Sequence, residues 1–465
     1  MKRLLKVCLV GVTAITLGKL LAPTGAAAAG SLLTQADFTY VGAFKLPSGS
    51  AGSPADTFDY GGAYVAGNVY DDPANGKTLF VKGYLSALQV SSRVSVAQVK
   101  IPTDIRNPHS VGLNGLTTAS RVQGFGDPSR GIGSSILTSA GFGSMIVYGG
   151  KLIGTEAIAY DGNCSQSKSA WVSPIDFSQS AQATGPYAFT ESVTPRILGG
   201  GFMAIVPPEW RSAFGAPVVS GNGPTSIISC GSPGPSLHAI DADALVAQPP
   251  ASTRIASAPL VYYEDGIHST LGLWNSNRPN QIVDGKAVPS ITVTDPHGRG
   301  TFTMAYEDNS MRIQGVLFAD GTESVLFFGN KGLGPYCYGT GTECGDPDNR
   351  DSKGDHAYPY TEFVWAYDVN ELLAVKQGSK RPWDVVPYTG WAFSVFGDGS
   401  GGRGVGVAWD PATRLAYMVV DRGNYPAPLV HVFKVGGGSS VPPAPPPPPA
   451  TPPPPAPPTG VRVIG

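Results

Sequence analysis

Short apolar runs broken by turn residues recur along the chain, and the last group sets the pattern. Residues 404–435 read GVGVAWDPATRLAYMVVDRGNYPAPLVHVFKV. Within them, 405–409 is apolar, 415–420 is β-branched and aromatic, and 430–435 alternates apolar and polar, as strands do. Asp410-Pro411-Ala412-Thr413 is a turn, because Asp caps it and Pro presets φ. The unit predicts a meander of antiparallel strands.

A matching unit lies at the other end of the chain. Strand-like 63–65, 78–83 and 94–101 surround Asp72-Pro73-Ala74, the counterpart of Asp410-Pro411-Ala412. Leu79-Phe80-Val81 falls near Ala416-Tyr417-Met418, and Lys100-Ile101 matches Lys434-Val435. Weaker copies run from 143–152 to 170–175, from 202–206 to 236–240, and from 313–318 through 324–329 to 362–367. Residues 260–306 allow a sixth unit or a long insertion. Residues 370–378 (NELLAVKQG) are the one clear helical stretch, predicted in a connection.

Repetition at this spacing, with glycine before apolar inner strands, predicts an all-β fold. The expected form is a β-propeller of about five to seven four-stranded blades. Glycine suits inner strands that crowd a narrow axis. The N-terminal run 38–46 is expected to complete the last blade beside 430–435, closing the ring and removing a free sheet edge. A pair of β-sandwiches is the alternative, but it has no need to repeat the DPA turn at both ends.

Composition adds the compartment. Charged residues make up 14%, against about 25% in ordinary soluble domains. With 61 glycines and 19 tyrosines, this suggests a turn-rich extracellular β protein. Residues 1–29 have the form of a signal peptide: Lys2, Arg3 and Lys6, an apolar middle, then a small-residue site at 26–29. A membrane anchor is the competing reading, but Lys19 interrupts the run and the ~20 apolar residues needed to span are absent. Removing Lys2, Arg3, Lys6 and Lys19 takes the formal charge from −2 to −6. No basic stripe points to nucleic acid. The expected product is a monomer, secreted or periplasmic/extracellular, with no membrane span after cleavage.

The propeller is expected over 30–436. Residues 437–459 are a Gly/Ser joint followed by a Pro-rich linker, which as polyproline II would extend on the order of 50 Å. Residues 460–465 form a short strand-like stub.

Four cysteines follow the leader: Cys164, Cys230, Cys337 and Cys344. An even number in an oxidising compartment favours two disulfides. The simplest pairing joins Cys337 to Cys344 and Cys164 to Cys230, although three connectivities exist. A zinc site from Cys337, Cys344 and His356 is the rival reading, with a spacing that fits no standard finger.

Several phrases accumulate: Pro208-Glu209-Trp210, Gly234-Pro235-Ser236, GLGPYCYGTGTECG at 332–345, HAYPY at 356–360 and VWAYDVNELLA at 364–374. With 408–417, they resemble a group of exported bacterial β-propeller-like proteins of uncharacterised activity. The resemblance covers most of 31–436. It implies a propeller-like fold and transfers no activity.

Candidate chemistry is scattered. Asp346, Asp348, Asp351 and Asp355 offer hard oxygen ligands, so calcium is a possible cofactor, although Arg350 breaks the EF-hand pattern. Turn-forming aspartates in a solvated, disulfide-closed loop are the favoured explanation of them. His268, preceded by Tyr262, Tyr263, Glu264 and Asp265 and followed by Trp274, is the densest mixture of titratable and aromatic side chains. His268 and Tyr263 suit base and acid in a polysaccharide lyase. Asp59, Glu156 and Glu209 fall near strand or loop ends, and carboxylates meeting across a pore mouth suit a glycoside hydrolase. Each is more readily explained as a turn or cap residue. Tyr60, Trp210, Trp274, Tyr358 and Tyr360 sit in Gly/Pro-rich loops and offer aromatic faces to sugars, or packing between blades. No serine-hydrolase elbow, zincin or phosphate-loop motif is present. The leading expectation is a non-catalytic recognition module for extracellular glycans or cell-surface polymers. The alternatives are a polysaccharide lyase or glycoside hydrolase, and a structural propeller that binds proteins.

Overall fold

The computed structural model describes residues 31–47, 57–84, 95–132, 140–158, 166–190, 201–223, 234–263, 282–283, 286–287, 290–305, 311–335, 337–347, 353–395 and 404–437. Residues 1–30, the Pro-rich tail, Cys164, Cys230, His268, Trp274, Asp348 and Asp351 lie outside them.

Five sheets stand around one axis as the blades of a five-bladed β-propeller. Blade 1 runs Tyr70–Asp72, Gly76–Lys82, Val96–Lys100 and Ser120–Gly126, with residues 64–66 extending its inner edge. Blade 2 runs Ala140–Tyr148, Lys151–Ile158, Ala170–Pro174 and Thr184–Phe189. Blade 3 runs Phe202–Ile205, Val218–Gly221, Leu237–Ile240 and Ser257–Val261. Blade 4 runs Arg312–Phe318, Ser324–Gly332, Tyr360–Asp368 and Thr389–Phe393. Blade 5 takes Val405–Asp410, Leu415–Asn424 and Ala427–Val435 from the end of the chain, and Phe38–Lys45 from its beginning.

That last strand pairs antiparallel with Ala427–Val435 in the register Phe38 to Val435 and Phe44 to Val430. The expected closure of the ring by the N-terminal strand is thus realised. The two DPA segments are both turns between a first and a second strand. Asp72 Oδ1 accepts from the Ala74 N–H, and Asp410 Oδ1 from the Ala412 N–H.

The strands are short runs of apolar residues because each blade is covered on both sides. Successive side chains point to opposite faces. In Ser324–Gly332, Val325 and Phe327 face blade 3, while Leu326 and Phe328 face blade 5. In blade 1, Leu79 and Val81 pack on blade 5 and Phe80 on blade 2. Ile146 and Val172 of blade 2 meet Met203 and Val218 of blade 3. Five apolar layers result, one between each pair of neighbouring blades.

The inner strands crowd the axis. The Gly67 N–H bonds to the Met145 carbonyl, and Val69 and Trp409 N–H groups bond to the Trp409 and Gly67 carbonyls. A Cβ on Gly67 would lie 1.9 Å from the Met203 carbonyl oxygen, so only glycine allows this approach across the axis.

The blade count is five, within the expected five to seven, and residues 290–305 form a hairpin, Ser290–Thr294 with Thr301–Ala305, the insertion that the sequence allowed in place of a sixth blade. Two expectations need correction. Blade 2 carries a fifth strand, Arg254–Ile255, laid parallel on Thr184–Phe189. Residues 143–152 hold a turn and parts of two strands: Gly149 and Gly150, both at positive φ, reverse the chain there. The predicted helix is present as Val369–Lys376, capped by Asp368 accepting from the Asn370 N–H, and lies between the third and fourth strands of blade 4. No helix among the described residues is long and apolar enough to cross a membrane.

Candidate functional site at the channel mouth

One face of the ring carries the starts of the first strands and the ends of the second strands. Each second strand carries a polar residue at or near this end after an apolar run: Lys82, Glu156, Asn222 just past its strand, Asn330 and Asp421 in blades 1 to 5. Glu156 is 1% and Lys82 9% exposed, so both are buried at this end of their strands.

Their local chemistry follows from the strands that hold them. Gly154 pairs with Trp171 across blade 2, and a Cβ on it would lie 2.0 Å from the indole. The indole lies over this gap and its Nε1–H donates to Glu156 Oε1 at 3.0 Å. Burial pushes the Glu156 carboxyl up to about 8, against the opposing pull of Trp171 and Lys82. In blade 1, the Lys82 N–H bonds to the Tyr64 carbonyl, which sets Lys82 Nζ 4.5 Å above the Tyr64 ring. Burial draws the Lys82 ammonium down to about 8, opposed by Glu156 and Asp421. The Tyr64 hydroxyl is raised by burial, and a hydrogen bond with Gln314 and the charge of Arg312 oppose that rise. Arg312 is exposed at the start of blade 4, while Tyr64 and Gln314 are half-buried. An acid, an ammonium, a guanidinium, an amide and a phenol thus line one opening.

Around it stands an aromatic rim. Of the large apolar or aromatic side chains exposed among the described residues, Tyr60, Tyr338 and Tyr425 are on this face, and Val41 and Val111 are the others. The Tyr60 N–H bonds to the Pro426 carbonyl in the turn after the second strand of blade 5. Tyr60 meets Tyr84 and Tyr425 edge-on at 6.1 and 5.9 Å, and Arg422 lies over its ring at 5.9 Å. Asp59 is partly exposed beside it.

Tyr338 belongs to an insertion after the second strand of blade 4. Cys337 and Cys344 are disulfide-bonded there, as expected. The zinc reading fails, since the two sulfurs bond each other and His356 bridges Asp346 Oδ2 (2.8 Å) and the Gly339 carbonyl (3.1 Å). The Tyr360 hydroxyl donates to the same Asp346 oxygen at 2.6 Å. Asp346 therefore braces this loop from within, and among the described residues no three His, Cys, Asp or Glu side chains converge as a metal site. Tyr358 is half-buried and meets Tyr360 edge-on at 6.3 Å.

The remaining candidates are placed elsewhere. Trp210 is 7% exposed and donates its indole N–H to the Thr322 carbonyl, so its ring packs blade 3 on blade 4. Glu209, beside it in the helix Pro208–Phe214, accepts from the Gly321 N–H on the opposite face from the mouth. Tyr263 is fully buried and donates to the Val385 carbonyl at 2.8 Å, which leaves it no access to a substrate. The signal that was missed is the recurrent polar residue closing each second strand, legible as LFVK, IGTE, VSGN, FFGN and MVVD. No family model matches the chain, and no curated protein matches it.

Proposed function

We propose that this propeller is an extracellular carbohydrate-recognition module that binds glycans over the channel mouth. The observation that carries this reading is the segregation of Tyr60, Tyr338 and Tyr425 to the one face where the polar opening lies. Tyrosine offers a flat apolar body with a polar tip, which suits the apolar face and hydroxyl edge of a sugar ring. The leader pattern and the Cys337–Cys344 disulfide support an oxidising compartment. The test is retention of the protein on a panel of insoluble polysaccharides, comparing wild type with Tyr60→Ala/Tyr425→Ala. Retention on at least one polymer is expected, weakened about tenfold or more in the double variant. Retention on none, or retention that ignores the double variant and Tyr338→Ala alike, removes the proposal.

A further inference from the structure

We infer that the channel mouth is built for an acidic sugar residue, with its carboxylate held at Arg312. The inference rests on the carbohydrate reading above and names the ligand class within it. Arg312 opens blade 4, and its side chain is exposed at the opening while its backbone is fixed opposite Asn330. It acts on two half-buried tyrosines, Tyr64 and Tyr360, lowering each hydroxyl against the larger effect of burial. It therefore stands between the polar opening and the braced loop of blade 4. A guanidinium has donors in a planar fork that matches both oxygens of a carboxylate, which gives orientation as well as attraction.

The charges around it favour the same class of ligand. Lys82, Arg312 and Arg422 face the opening, against Asp421 and Asp59. The Glu156 carboxyl, held protonated by burial, adds no negative charge at pH 7. Arg299 is engaged by Asp295 and by the Tyr360 carbonyl, and Glu362 faces His297 at 3.7 Å, so the neighbouring guanidinium is already committed to partners of its own. The opening sets the Arg312 guanidinium near an amide, Gln314, and an aromatic ring, Tyr64. A uronate presents the matching set: a carboxylate, hydroxyls and an apolar ring face. A neutral sugar would leave the Arg312 guanidinium partly desolvated and without an anion.

Matched ligands test this directly. Oligosaccharides of galacturonate, of mannuronate and guluronate, and of glucuronate are each compared with their carboxyl-reduced, neutral forms. Binding of the whole protein is measured by calorimetry at low salt, for wild type and Arg312→Gln. For at least one pair, wild type should bind the acid about tenfold or more tightly than its reduced form. Arg312→Gln should bring the acid-to-reduced affinity ratio to about one. Equal binding of acid and reduced forms by wild type overturns the inference, as does an acid preference that survives Arg312→Gln. If no member of any pair binds while a neutral polysaccharide retains the protein, the acidic-sugar inference falls and carbohydrate recognition stands. If no glycan binds at all, both fall.

Discussion

Two buried ionisable side chains at the mouth should make stability pass through a trough near pH 8. Glu156 is lifted by burial from 4.5 to about 8. Between those values the folded protein holds a proton that the unfolded chain has released. Stability then falls as pH rises, by at most about 1.4 kcal/mol per pH unit and on the order of 5 kcal/mol across the interval. Lys82 is drawn down by burial from 10.5 to about 8. From there to 10.5 the unfolded chain holds a proton that the folded protein has lost, so stability climbs again, by on the order of 3 kcal/mol. Other groups titrate in the same range, so the comparison must be with variants that lack one limb each. Urea unfolding, followed by tryptophan fluorescence at steps from about pH 5 to about pH 10, is run on wild type, Glu156→Gln and Lys82→Met. Wild type minus Glu156→Gln should descend up to about pH 8, and wild type minus Lys82→Met should ascend beyond it. A Glu156→Gln difference that is flat, or that rises between pH 5 and 8, would refute the placement of this carboxyl in a dry wall of the mouth.

Two further outcomes are expected. His238 is buried and held down to about 3 by desolvation, so the unfolded chain takes up a proton first on acidification. Stability should drop from about pH 6.5 towards pH 3 by up to about 1.4 kcal/mol per unit, and His238→Gln should flatten that slope in the same urea series. Gly154→Ala places a methyl against the Trp171 indole, and overpacking of this kind costs about 1–3 kcal/mol or more. A lower urea midpoint with an unchanged slope is the expected result, and a red-shifted tryptophan emission should accompany it.

The features that could be read from the sequence were local or repeated. The DPA turns work through a side chain bonding its own next residues, so Asp72 and Asp410 announce them without any tertiary context. The closing strand was legible because a ring needs a last partner and 38–46 has the matching alternation. The second strands of blades 2 and 3 were not. Lys151–Ile158 follows its neighbour after a two-glycine turn with no polar break, and Val218–Gly221 is four residues long. Burial of single aromatics was also hidden, because it depends on partners far along the chain. Trp210 is covered through Thr322, 112 positions away, and Tyr263 through Val385, 122 positions away. The mouth itself is assembled from five blades. Lys82 and Glu156 look like ordinary strand terminators until the blades are set in a ring.

The pairing of Phe38 with Val435 also fixes how the molecule is presented. The Gly436 N–H bonds to the Asp37 carbonyl, and the Ser31 hydroxyl to the Gly437 carbonyl, so the chain enters and leaves the propeller side by side. Arg414 and Thr322, in turns between first and second strands, hold both ends there, on the face away from the mouth. Both Ser31 and Gly437 therefore lie behind the ring, on the side away from the mouth. The tyrosine face is thereby left clear of both ends of the described chain, so a fusion or an immobilising tag at either end would not cover Tyr60 or Tyr425.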